Sequence, residues 1–248
     1  MQYEQQIQTE LRKWQQQMQK RPTMLNKAAK RMQTKLNSFI PEKAHQAITV
    51  VIKKMVQAVL FGARHTTAKP VQHGSLELRE ARVLERINSY RKTAAVEGGI
   101  TGAGGILLGL ADFPLLLGIK IKLLFDIAHM YGYSTSEYKE RVFLLHILQL
   151  AFSSQEHRRD VYMKIQHWNT QYPQLEKDPD SFDWRAFQQE YRDYLDLAKM
   201  AQLIPVIGAP VGVVVNYQLI KRLGHTAMNA YRMRWFEDEV GGRKSKVR

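Results

Sequence analysis

Asp112 is the only ionisable residue between Glu97 and Lys120, and the apolar, glycine-rich stretch around it could tune a carboxylate for acid–base work. With a histidine such as His129 or His146 it would make a hydrolase, the one catalytic reading the residues offer. A simpler role for Asp112 is to cap a helix opened by Phe113-Pro114, because Asp at N-cap with Pro in the first turn is a common start signal. The other chemical candidates are incomplete. The glycines after Glu97 follow neither the spacing of a P-loop nor that of a dinucleotide fingerprint, and no strand precedes them to aim such a loop. Asp126 and His129 share one helical face and His157, Asp160 and Lys164 another, but two-residue matches fall short of a metal signature, and His-Glu-x-x-His is missing. Ser153-Ser154 lacks the Gly-x-Ser-x-Gly setting of an elbow nucleophile. The residues therefore lean away from an enzyme, and no cofactor or metal is expected.

Two apolar segments dominate the chain. Residues 98–119 read GGITGAGGILLGLADFPLLLGI and residues 203–220 read LIPVIGAPVGVVVNYQLI, with Asn216 the strongest polar side chain in the middle of the second. Each is near the length that crosses a hydrocarbon core of about 30 Å as a helix, yet each carries helix-breaking residues that a simple span avoids. The four-residue spacings Gly98/Gly102, Gly105/Gly109 and Gly208/Gly212 clear one helix face and admit a close neighbour. The two segments are expected to pack together, Gly102 or Gly105 facing Gly208 or Gly212, with Asp112 and Asn216 satisfied near the ends of the contact. Both pass into basic stretches, GIKIK at 118–122 and LIKR at 219–222, as two halves of a pseudo-repeat would.

Charge is distributed unevenly. Lys and Arg outnumber Asp and Glu by 18 to 6 in residues 1–92 and by 8 to 3 in 202–248, whereas residues 93–201 hold 11 against 14. Basic ends favour phosphate-bearing partners, either nucleic acid or an anionic leaflet. The aromatics fall on apolar stripes instead of among the charges, and no nucleic-acid-binding motif is present, so no specific nucleic acid is expected. Trp14, Lys20, Arg21, Lys27, Lys30, Arg31 and Lys35 are the candidate membrane contacts of a basic amphipathic arm. The chain has no cysteine, and its first residues lack the apolar run of a secretory signal; an intracellular location is the expectation.

These features must be carried on helices. Tyr3, Ile7, Leu11, Trp14 and Met18 recur at helical spacing, as do Leu25, Ala28, Ala29, Met32, Leu36 and Phe39, and a third helix follows Pro41. A helix is expected from about Ser75 to Val96, ended by Gly98-Gly99. Two more should begin at the capping-box spacings Ser134/Glu137 and Ser153/Glu156. A further one spans about Trp184 to Ala201, after the acidic loop 172–183, and a last one runs from beyond Pro205 to about Phe236. No strand pattern of any length appears. The fold class is all-α: a multi-helix bundle with the two Gly/Pro-rich hairpin segments packed together. Residues 1–40 form the basic arm, 41–240 the main domain and 241–248 a basic tail.

The stretches EGGITGAGGILLGLADFP (97–114) and IPVIGAPVGVVVNY (204–217), about 90 residues apart, together with Ile40-Pro41 before a long helix, resemble the EcsC family. The matching motif positions are Gly98, Gly99, Thr101, Gly102, Gly105, Asp112, Pro114, Pro205, Gly208, Gly212 and Asn216. The resemblance implies a bacterial protein encoded beside an Ecs-type ABC transporter, linked through it to secretion and regulated proteolysis, and without an established reaction. The combined expectation is a non-catalytic accessory protein, cytoplasmic and peripheral at the inner face of the cell membrane. Its expected partners are anionic lipid and ABC transporter subunits. The alternatives are an integral protein with re-entrant or spanning glycine segments, and the hydrolase using Asp112.

Overall fold

The computed structural model describes residues 2–21, 50, 69–102, 105–153, 157–171 and 208–240. Among these the protein is all-α, with no strand. Seven helices are described: α1 (Gln2–Gln19), α2 (Leu76–Gly102), α3 (Gly105–Tyr131), α4 (Tyr138–Phe152), α5 (Arg158–Ile165), α6 (Trp168–Gln171) and α7 (Gly208–Val240). The expected helices over 25–39, after Pro41 and over 184–201 lie outside the described residues, as does the tail 241–248.

Three long helices form the frame. The antiparallel partners of α2 descend α7 in order: Glu80 pairs with Arg232, the Ile87 side chain abuts Gly224, and Arg91 stacks on Tyr217. On its other side α2 runs antiparallel to α3, with Glu80 bonded to Tyr131 and Tyr90 to Asp126. α3 and α7 are therefore parallel, and Tyr131 and Tyr231 stack where they meet, centroids 5.3 Å apart. Carried along both helices at constant register, the pairing brings the 98–102 turn of α2 level with the 208–212 turn of α7, beside the start of α3. Both glycine segments thus occupy the same end of the frame.

The core runs from this frame into α4, which is buried along most of its length, and on to α5 and Trp168. α1 docks on α5, α7 and α2. Its stripe holds Ile7 and Leu11 buried, and Trp14 meets Tyr162 edge-on at 5.9 Å. The first half of the basic arm is therefore part of the packed body.

Several helix ends differ from expectation. α2 continues through Gly98-Gly99 to Gly102, although each glycine costs a helix roughly 1 kcal/mol. α3 begins at Gly105, so Asp112 and Pro114 lie inside it and Asp112 is not at its N-cap. Ser134 does not open α4: its hydroxyl bonds Ser136, Glu137 takes the N-cap, and Thr135 is drawn under His129 (Oγ1 to Nε2, 2.9 Å). Ser153 closes α4, its N–H donating to the Gln149 carbonyl, instead of opening α5. Ser75 does start α2, accepting the Leu78 N–H at 3.3 Å.

Candidate functional site

One end of the frame is ionic. Glu80 is wholly buried, and its carboxylate accepts four bonds: from Arg232 Nε at 2.7 Å and Nη2 at 2.6 Å, from the Tyr131 hydroxyl at 2.9 Å and from the Tyr3 hydroxyl at 2.8 Å. Glu10 approaches the same guanidinium at 3.5 Å from α1. Beside it, Glu140 of α4 accepts the Tyr231 hydroxyl and, at 2.7 Å, Arg234 Nη1. The Arg234 guanidinium lies 3.8 Å over the Tyr133 ring, and Tyr133 donates to Asp238 at 2.7 Å. Burial alone would lower both arginines, but the Glu80 and Glu140 carboxylates outweigh it and hold them above their ordinary values. Burial, reinforced by those carboxylates, drives Tyr131 and Tyr231 well upward, so both stay neutral donors.

Local backbone geometry sets this network up. Gly132, at φ +93°, ends α3 with its N–H on the His129 carbonyl and the Tyr133 N–H on the Ala128 carbonyl, a left-handed cap that aims Tyr133 at Arg234. A side chain at 132 would stand 3.0 Å from the Val71 carbonyl oxygen. Arg79 clips the same corner, donating to the Gly74, Val71 and Met130 carbonyls at 2.7–3.0 Å.

This end does not have the form of an active site. A general base needs a lone pair within reach of substrate, and both carboxylates are buried with their acceptors taken up by protein donors. The proposed dyad fails as well. Asp112 and His129 stand on one continuous helix, seventeen residues and so about 25 Å apart. His146 is buried against Trp168 and Gln149, and burial lowers its pKa to about 3. Among the described residues no group of His, Asp or Glu could hold a metal ion.

The opposite end is apolar. Beyond Lys92, Lys120 and Lys221 the three helices carry only two acids, Glu97 and Asp112. Val96 of α2 is 61% exposed and Val214 of α7 59%, at matching levels, and Gly118 of α3 faces open space. Asn216 is buried there, with its Oδ1 lacking a hydrogen-bond partner. Among the described residues no helix is long and apolar enough to cross a membrane.

The sequence profile of the EcsC protein family matches residues 5–236. The chain belongs to the EcsC family. It is 44% identical over 230 residues to Protein EcsC of Bacillus subtilis (strain 168), covering 92% of this chain and 94% of that one. It is 33% identical over 153 residues to the protein titled "Uncharacterized protein YdbA" of the same organism, covering 61% of this chain and 56% of the other. No solved structure matches.

Of the motif residues of this EcsC-family chain, Gly98, Gly99, Thr101 and Gly102 close α2, Gly105, Asp112 and Pro114 lie in the first half of α3, and Gly208, Gly212 and Asn216 lie on the first turns of α7. The frame gathers them at one end. Pro205, Lys27, Lys30, Arg31 and Lys35 lie outside the described residues. Lys20 and Arg21 are exposed just after α1, whereas Trp14 turns its ring inward. Sequence reasoning missed the paired Glu80–Arg232 and Glu140–Arg234. Their trace was Arg232 and Arg234 within an otherwise apolar run, Ala230 to Phe236.

Proposed function

We propose that this protein is a non-catalytic accessory factor at the cytoplasmic face of the cell membrane, touching lipid through its glycine-rich end and working beside an Ecs-type ABC transporter. The observation that carries the lipid part is the exposure of Val96 and Val214 at an end whose helices bear only Glu97 and Asp112 as charges. Leu78, Leu84 and Met163 are exposed too, but beside charged residues in sequence, whereas Val96 and Val214 stand on helix ends that carry few charges, an arrangement that suits an interface. The transporter part rests on the family resemblance. Flotation of the purified protein with liposomes, followed by alkaline carbonate extraction of native membranes, tests the reading. Flotation with anionic liposomes and release by carbonate are expected; absence from every liposome fraction would sink it, and retention through carbonate would replace it with an integral protein. Co-purification in mild detergent with the subunits of an Ecs-type ABC transporter tests the partner.

A further inference from the structure

The basic stretches after each glycine segment find a place once the helices are in register. Arg91 lies eleven residues after Glu80, and Lys221 eleven before Arg232, its partner. Lys122 and Arg222 each lie nine residues before the stacked Tyr131 and Tyr231. All three long helices therefore present cations at one level: Arg91 and Lys92 on α2, Lys122 on α3, Lys221 and Arg222 on α7. Lys92, Lys122 and Lys221 are exposed, and Arg91 is braced over the Tyr217 ring at 3.7 Å. On these three helices the nearest acid is Asp126, a turn below, which Lys122 reaches at 3.3 Å, and above the level they carry only Glu97 and Asp112.

The geometry beyond this ring has a definite length. From the ring to the ends of α2, α3 and α7 there are ten to seventeen residues, or roughly 15–25 Å of helix. Half of a hydrocarbon core is about 15 Å. An end of that size enters one leaflet and cannot reach through both. Val96, Gly118 and Val214, one on each helix, are exposed just beyond the cations, where such an end would meet acyl chains.

We propose that Lys92, Lys122 and Lys221, with Arg91 and Arg222, form a ring that binds the phosphates of anionic phospholipid headgroups and sets the depth at which the glycine-rich end enters a single leaflet. This rests on the peripheral membrane reading above and adds the lipid class, the contact residues and the depth. Charge complementarity selects the occupant: a circumferential band of cations bordering an apolar end matches the order of phosphate and hydrocarbon in a leaflet. A linear polyanion would use the cations but leave the apolar end in water.

The test uses the full chain and vesicles of phosphatidylcholine with or without about a third phosphatidylglycerol. The variant K92Q/K221Q leaves the Lys122–Asp126 contact intact, and K13Q/R159Q removes the same charge from exposed positions away from the ring. The ring variant should bind anionic vesicles on the order of thirtyfold more weakly, the control only a few-fold, with unchanged circular dichroism. An environment-sensitive dye on Val214→Cys, in a chain with no other thiol, should shift to the blue on anionic vesicles and be quenched by lipids brominated near the headgroup end of the chain. Equal losses in the two variants would overturn the ring while leaving peripheral attachment standing. A dye that stays in water would overturn the depth assignment. Failure of the unsubstituted protein to bind any vesicle would overturn both readings, and binding to a DNA oligonucleotide alone would reassign the cations.

Discussion

Glu80 is the residue whose loss the structure prices highest. Replacing it with alanine strips Arg232 of two charged hydrogen bonds while the guanidinium stays 90% buried, and leaves the Tyr131 hydroxyl without its acceptor. Breaking a buried pair in this way costs about 3–5 kcal/mol. Glu10, 3.5 Å from Arg232 but half exposed, returns only a small part of that. Against a typical total of about 5–15 kcal/mol, the variant should be close to unfolding. Removing the charges together should cost far less. E80L/R232M/Y131F replaces three polar groups at once, leaves no buried donor or acceptor orphaned within the trio, and should lie within about 2 kcal/mol of the parent. Urea unfolding followed at 222 nm, with a common slope, gives the comparison. An E80A cost below about 1 kcal/mol would refute the pairing, and so would a combined variant as costly as the sum of its parts.

Three further outcomes follow from the same contacts. Gly224→Ala would place a methyl 2.6 Å from two side-chain carbons of the buried Ile87, so overpacking of about 1–3 kcal/mol should exceed the roughly 1 kcal/mol of helix propensity gained; pairing it with Ile87→Ala should reverse the sign of the Gly224→Ala effect, and additivity would place α2 and α7 farther apart. His146 is held neutral to about pH 3, against about 6.5 when unfolded, so the stability present above pH 6.5 should fall as pH drops towards 3, by up to about 1.4 kcal/mol per unit; urea midpoints at pH 7.5, 5.5 and 4.5 should show a shallower acid limb in His146→Phe. Deleting residues 1–21 removes the buried Ile7 and Leu11 and the Tyr3–Glu80 bond, and should lower the urea midpoint by the equivalent of about 3–5 kcal/mol; an unchanged midpoint would mean that α1 is an appendage.

The sequence made the helices readable because their stability comes from apolar stripes, and a stripe such as Tyr3–Ile7–Leu11–Trp14–Met18 is written in residue types. The ends were less readable because they are settled by tertiary contacts. Gly98-Gly99 is a local stop signal, but α7 lies alongside, and the helix continues. Ser134 has the right spacing to cap α4, yet the chain between Gly132 and Glu137 is committed to aiming Tyr133 at Arg234 and Thr135 at His129. The glycine motifs were legible as two sets of residues, and their meeting at one end of the frame followed from the register of α2 and α7. The membrane role assigned to Trp14 rested on its stripe, and an amphipathic stripe docks on a protein core as readily as on lipid. The buried Glu–Arg pairs were illegible for a different reason: their partners lie 152 and 94 residues apart, and no local pattern records such a distance.

The two ends of the frame depend on each other. Glycine-rich helices packed closely through apolar faces have few directional contacts, and one helix can slide or rotate past another at little cost. The ionic end supplies what they lack. Arg232 and Arg234 stand two residues apart on α7 and so point about 200° apart. One reaches Glu80 on α2 and the other Glu140 on α4, so no rotation or one-turn slip of α7 satisfies both. A rigid α7 then carries that register some twenty-four residues, or about 36 Å, to Gly208. The costly burial of two ion pairs is understandable on this view as the means of fixing where the cations of the ring and the glycines beyond it fall, on three helices that would otherwise share no common level.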